Sequence, residues 1–262
     1  RKATRTTDKP DDSATSDDKG AGDGGVGVAN SIVGVNAAAR KWAQKVGADP
    51  YTTNPILKKA LTDLGKIDAA GGIATKVLVP IPMVVSGTAT VGDLVWGKDP
   101  EELRKINEQK LKETGASGDT LKALYLSKGF TLTLYTRLAS SLRAVNVPGC
   151  ADYASTAAEA DVEREALFFT ESAEMLERFH KTTAVEAILT DSRAIVARAK
   201  DARVLVLLPV DWVAWTAEYE KALVEVEKRA KGELHATKLE LRMTGWMSDV
   251  AKKEKAGRGW SL

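Results

Sequence analysis

The sequence predicts a mainly α-helical protein with a small C-terminal α/β unit, in which a multi-helix domain packs on a short mixed sheet. Three observations lead there. Apolar residues recur at helical spacing in segment after segment from about residue 29 to residue 179. After residue 183 the period changes to short runs rich in Val, Ile and Leu. Residues 203–243 then read strand, helix, strand. The chain divides accordingly into a flexible arm or linker at 1–27, a helical domain at 28–182 and an α/β unit at 183–262. The last is too small to bury much surface alone, so it is expected to share the helical core.

Residues 1–27 are dominated by Gly, Asp, Ser and Thr and lack apolar anchors, so no independent structure is expected there. A first helix is expected over 29–46, with Ile32, Val35, Ala39, Trp42 and Val46 on one stripe and Gly47 as its stop. Asn54 reads as an N-cap with Pro55 at the first helical position, opening a second helix to about Lys66. The stretch 67–98 is small, apolar and poor in charge. Its uncharged run, 77–92, is sixteen residues long. That is short of the roughly 20 needed to span a bilayer, and Pro80 and Pro82 break regular structure. Three readings stay open for residues 73–96: a buried core segment, a segment covered by a partner chain, or a peripheral contact with a membrane surface.

Asp99, with Pro100 at N1 and Glu102 at N3, marks the start of a helix over 100–113. Asp119 is expected to cap a short helix over 120–127. A further helix is expected over 130–145, closed by Pro148 and Gly149. The longest is expected over 152–179, with an apolar stripe from Ala157 to Phe179 and glutamates on the wet side. Val185–Leu189, Ala194–Arg198 and Arg203–Leu208 read as strands, with a hairpin turn at Lys200 and Asp201. The run 204–208 is apolar throughout, as in a central strand covered on both faces. Asp211 is expected to cap a helix over 212–231, followed by a strand through Leu239, Leu241 and Met243. Ser248 is expected to cap a last helix to about 255, and the final residues end as a loop or short edge strand.

Composition narrows the function classes. Lys and Arg number 38 against 36 Asp and Glu, a net charge of +2, so no broad positive field is present to hold nucleic acid. One cysteine, Cys150, excludes an intramolecular disulfide framework; it is expected at an exposed turn or a helix start. Two histidines leave little material for a metal site. Glu177 and His180 form a single Glu-x-x-His, whereas dinuclear bundles carry two such pairs. The glycines of 20–27 lack the Lys-Ser/Thr of a phosphate-binding loop and read as linker. Ser127, Ser140 and Ser141 sit in no strand-turn-helix elbow. No cofactor is implied. Asp191 and Asp211, near predicted strand ends, are the site candidates for chemistry by paired carboxylates, and Asp211 has the plain alternative of capping a helix.

Aromatic residues are the most distinctive feature of the second half. Trp212, Trp215 and Tyr219 are spaced to share one face of the expected helix, and Trp246 and Trp260 follow near the C-terminus. Such a face is either core or an interaction surface, since Trp and Tyr concentrate in both. These five residues are the interaction candidates.

VGADPYTTNPIL at 46–57, RVLVLLPVDWVAWT at 203–216 and LRMTGWMS at 241–248 resemble an uncharacterised group of exported proteins of Gram-negative bacteria, in their C-terminal part. The three stretches cover about an eighth of the chain. It implies a signal peptide, more chain upstream and an envelope location, periplasmic or outer-membrane-associated. It implies no reaction and assigns no site residue. The chain opens on Arg1, which fits an upstream segment. The expectation is a non-enzymatic structural or protein-interaction domain whose partner is another protein or the upstream part of the same precursor. The alternatives are a hydrolase using paired carboxylates or a carrier of an apolar ligand.

Overall fold

The structure is a computed structural model and describes residues 28–69, 89–189, 194–232 and 234–261. The expected arm at 1–27, residues 73–88 of the apolar stretch, and Asp191 lie outside the described residues. Nine helices come first: α1 (Val28–Ser31), α2 (Ala37–Val46), α3 (Pro55–Ala69), α4 (Ala89–Gly97), α5 (Pro100–Glu113), α6 (Gly118–Leu126), α7 (Leu132–Val145), α8 (Cys150–Ala157) and α9 (Glu163–His180), counted among the described residues. Then follow β1 (Val185–Leu189), β2 (Ile195–Ala199), β3 (Arg203–Leu208), β4 (Trp212–Val213), α10 (Ala217–Gly232), β5 (Lys238–Met243), β6 (Trp246–Met247), α11 (Asp249–Gly257) and β7 (Trp260–Ser261). The protein is mainly helical, with a small C-terminal mixed sheet packed against the helices.

Several helix starts rest on one side chain each, as expected. Asn54 accepts from the amides of Ile56 and Leu57 ahead of α3, Asp99 from Glu102 ahead of α5, and Ser248 from Ala251 ahead of α11. Each satisfies donors that the first turn leaves without intrahelical partners. Other boundaries differ. The expected helix over 29–46 is interrupted: Gly34 takes φ 77°, and Asn36 starts α2 afresh by accepting from the Ala39 amide at 2.8 Å. Ser117, not Asp119, caps α6 through the Thr120 amide. Asn146 in the left-handed region, rather than Pro148 and Gly149, closes α7.

The expected single helix over 152–179 is two, α8 and α9. The break is held from a distance. The Gly129 amide and the Ser127 hydroxyl both donate to the Ala160 carbonyl. A Cβ on Gly129 would lie 2.6 Å from the Val162 carbonyl oxygen, so only glycine lets the two segments approach.

Five strands form one sheet in the order β1-β2-β3-β5-β7. β1 and β2 are antiparallel, as are β2 and β3, whereas β3–β5 and β5–β7 are parallel. The alternation of β3 divides its side chains cleanly. Leu205 and Leu207 join the main helical core, which also holds Val185, Ile188, Ile195, Phe179 and the buried faces of α7, α8 and α9. Val204 and Val206 join a second cluster with Leu239 and Leu241 of β5, Leu223 and Ala230 of α10, and Ala251 of α11. The central strand is therefore covered on both faces, as its unbroken apolar run required. Towards the end of the apolar stretch 67–98, Val91 and Val95 of α4 are buried in the main core. No helix among the described residues is long and apolar enough to cross a membrane.

Asp211 caps no helix, and residues 212–216 are not helical. The carbonyl of Asp211 accepts the Trp246 amide at 2.8 Å, which holds Trp212–Val213 as a strand beside Trp246–Met247. α10 begins five residues later than expected, where the Thr216 hydroxyl accepts from the Tyr219 amide at 3.2 Å.

Candidate functional site

The aromatic residues singled out in the sequence separate into three environments. Trp260 is 4% exposed, and its indole N–H donates to Glu227 of α10 at 2.7 Å, which makes it a core residue. Trp215 and Tyr219 are half-buried on the second cluster, their rings edge to face with centroids 5.6 Å apart. The Arg258 guanidinium lies over the Trp215 ring at 5.6 Å. Trp212 and Trp246 are 62% and 74% exposed. The helical spacing that grouped Trp212 with Trp215 and Tyr219 does not apply, because only Tyr219 lies on α10.

The two exposed tryptophans are register partners. β4 and β6 run parallel, with Trp212 opposite Trp246 and Val213 opposite Met247. Neighbouring strands lie about 4.8 Å apart, and successive side chains point to opposite faces. Val213 and Met247 are 7% and 3% exposed and belong to the second core cluster. The inner pair thus anchors the ribbon while the outer pair presents two indoles side by side. The backbone is tightly held: Ser248 donates to the Val213 carbonyl at 2.9 Å and the Thr244 hydroxyl to the Val210 carbonyl at 3.3 Å. Gly245 crosses so close to Asp211 that a Cβ there would overlap the Asp211 carbonyl.

Beside the ribbon runs a groove of about 650 Å³ between α9 and residues 209–211, lined by Phe168, Glu165, Glu171 and Asp211 among others. Asp211 therefore shares a groove with two carboxylates. Burial holds the Glu171 carboxyl above its ordinary range, Arg137 opposes this, and Glu174 and Asp211 add repulsion.

A second cleft, of about 260 Å³, lies between the α2–α3 connection, α4 and α7. Its polar groups are committed within the protein. Asp49 accepts from the Tyr51 amide at 2.8 Å and from the Thr133 hydroxyl at 2.6 Å, although desolvation still pushes its carboxyl up. Arg137 makes a two-pronged pair with Glu174 at 2.8 and 3.0 Å, and the Trp96 indole donates to the Ala48 carbonyl.

His180, Glu177 and the serines singled out in the sequence have structural partners. The His180 Nδ1 accepts the Val185 amide at 3.1 Å, and Glu177 pairs with Lys181 while accepting from Ser141. Ser127 donates to Ala160 and Ser140 to Thr136. No group of three or more His, Cys, Asp or Glu is placed to hold a metal ion among the described residues. Cys150 is the first residue of α8, and it is fully buried rather than exposed, with burial pushing its thiol up.

The partial exposure of Trp215 sets a smaller effect than full burial would. Trp215→Ala is expected to cost roughly 1–2 kcal/mol, below the ~3–5 kcal/mol of a fully buried tryptophan, with part of the loss from the ring pair with Tyr219. Urea unfolding of the variant measures it; a loss of 3 kcal/mol or more would put the indole in the core.

Set against models of known protein families, curated proteins and solved structures, the chain matches none.

Proposed function

We propose that the chain is a non-enzymatic interaction domain of a bacterial envelope assembly, and that it docks through the Trp212–Trp246 ribbon. The supporting observation is the paired exposure of two tryptophans on register-matched strands whose inner neighbours are locked in the core. Exposed aromatic surface on a rigid support loses little conformational entropy on binding, and tryptophan is enriched at binding hot spots. The partner's complement is a flat apolar protein surface, on another chain or on the upstream part of the same precursor. The envelope location, periplasmic or outer-membrane-associated, rests on the sequence resemblance.

Replacing both exposed tryptophans tests the docking surface. Trp212→Ala with Trp246→Ala is expected to shift stability by at most about 1 kcal/mol, since surface substitutions typically stay within ±0.5 kcal/mol each. The native-source assembly should nonetheless sediment as free chain in the double variant. Unchanged sedimentation would remove the ribbon from the interface. Compartment fractionation of the full-length protein tests the location separately.

A second reading, hydrolysis by paired carboxylates, is favoured by the groove that Asp211 shares with Glu165 and Glu171. A protonated acid and an ionised base flanking a bond are the minimal set for glycoside cleavage. Turnover of chromogenic glycosides, abolished by both Glu171→Gln and Asp211→Asn, would establish it; absence of turnover in the wild type rejects glycoside hydrolysis at this groove.

A further inference from the structure

α10 does not lie flush on the sheet. Between them is a cavity of about 260 Å³. Its sheet wall is Val196 of β2 with Val204, Val206 and Leu208 of β3, and its helix wall includes Leu223 and Val226. Close packing normally leaves few voids larger than a water molecule. An engineered aliphatic cavity of about 150 Å³ stays dry and takes up benzene, so a larger aliphatic space between two elements is competent to hold an apolar body.

One polar group belongs to the lining of this aliphatic space. Tyr219 lines it, and its hydroxyl is buried with no hydrogen-bond partner among the described residues. An unsatisfied buried hydroxyl carries a desolvation cost, which a bound acceptor would remove. Burial also pushes the phenol up to about 12, so it stays protonated and is a donor at neutral pH. Glu225 and Arg229 line the same cavity with opposite charges, so its polar edge has no net sign to select an ion.

We infer that the cavity between α10 and the sheet binds a neutral aliphatic carbonyl compound, its chain against the valine and leucine walls and its oxygen accepting from the Tyr219 hydroxyl. If each heavy-atom group takes about the 30 Å³ of a liquid water molecule, roughly eight or nine fit. The site lies on the α10 side of β3 and is independent of the exposed tryptophan pair. A ligand here would brace α10 against the sheet without touching the docking ribbon.

The test titrates the folded chain with 2-octanone, n-octane and octanoate, following backbone amide shifts by NMR. The ketone is expected to bind saturably, shifting amides of β3 and α10, more tightly than the alkane. Tyr219→Phe, which keeps the ring and removes the donor, should weaken the ketone about five- to tenfold and leave the alkane unchanged. Val226→Phe, which fills the space from the half-exposed helix, should abolish binding of both. No saturable binding of the ketone to the wild type overturns the proposal. So does ketone affinity unaltered by Tyr219→Phe, and so does tighter binding of octanoate than of the ketone, which would assign selection to the Arg229 charge instead. These outcomes are read on the isolated chain, so they do not depend on the docking surface.

Discussion

Phe179→Ala is expected to destabilise the protein by about 3–5 kcal/mol, the largest loss from a single side chain at the joint between helices and sheet. Phe179 is 2% exposed near the end of α9. Its ring is packed in the core and also supports two cations, the Arg203 guanidinium at 5.2 Å and that of Arg242 at 4.7 Å. Both arginines bond to Glu240, whose side chain is 8% exposed, Arg203 at 2.8 Å and Arg242 at 2.5 Å. Removing the ring therefore leaves a cavity and also takes away the surface on which a buried carboxylate is neutralised. Phe179→Leu separates the two effects. It restores most of the apolar volume, so the cavity contribution shrinks, and a residual loss of roughly 1–2 kcal/mol measures the shape change and the lost attraction of cations for the ring. Urea unfolding of both variants provides the numbers. A loss under 1 kcal/mol for the alanine variant would mean that α9 is not fastened to the sheet at this point.

Arg137→Met is expected to cost a similar amount, about 3–5 kcal/mol, for a different reason. The Arg137 side chain is 19% exposed and that of Glu174 is 5% exposed, so the pair joins α7 to α9 largely out of water. Taking away one partner leaves a buried carboxylate without its cation, and the desolvation cost is then uncompensated. Removing both charges is different in kind. Replacement of a buried pair by packed apolar groups is often neutral or stabilising, so Arg137→Met combined with Glu174→Met should recover most of the loss. The double-mutant cycle isolates the coupling. If the double variant were no more stable than the single, the pair would contribute through packing of the arginine stem rather than through charge.

Much of the architecture was legible in the sequence because local chemistry decides it. Asn54 with Pro55, Asp99 with Pro100, and Ser248 each start a helix with a side chain three or fewer residues from the amides it satisfies. The apolar run of β3 announced a strand covered on both faces for the same reason: alternation alone sends Val204 and Val206 one way and Leu205 and Leu207 the other. What was illegible depends on distant parts of the chain. Nothing within 158–162 is a conventional helix breaker; the break between α8 and α9 is held by Ser127 and Gly129, some thirty residues earlier. Asp211 had the composition of a cap, but its backbone is claimed by Trp246, and a tertiary hydrogen bond overrode the local preference. The same pairing explains the candidate site. Trp212 and Trp246 were both marked by residue type, yet only the parallel register of β4 and β6 brings them together, and no local periodicity encodes it. The carboxylate groove is similar: Asp211 stands out beside a strand end, whereas Glu165 and Glu171 read as a solvated helix face because their spacing on α9 says nothing about what packs opposite.

The burial of Cys150 makes the molecule its own clock. The thiol is fully enclosed in the main core at the first turn of α8, and burial further suppresses the reactive thiolate. An alkylating reagent can reach it only in molecules that have opened, so the rate of labelling reports how often the core exposes itself. At low reagent, closing outruns alkylation and the rate follows the equilibrium population of open molecules; at high reagent it levels off at the opening rate. These 262 residues thus carry a single-site probe of their own opening, in place and without an introduced label. A partner or ligand that stabilises the closed state would register as a slower capture of this one sulfur, even when it binds at the opposite face of the sheet.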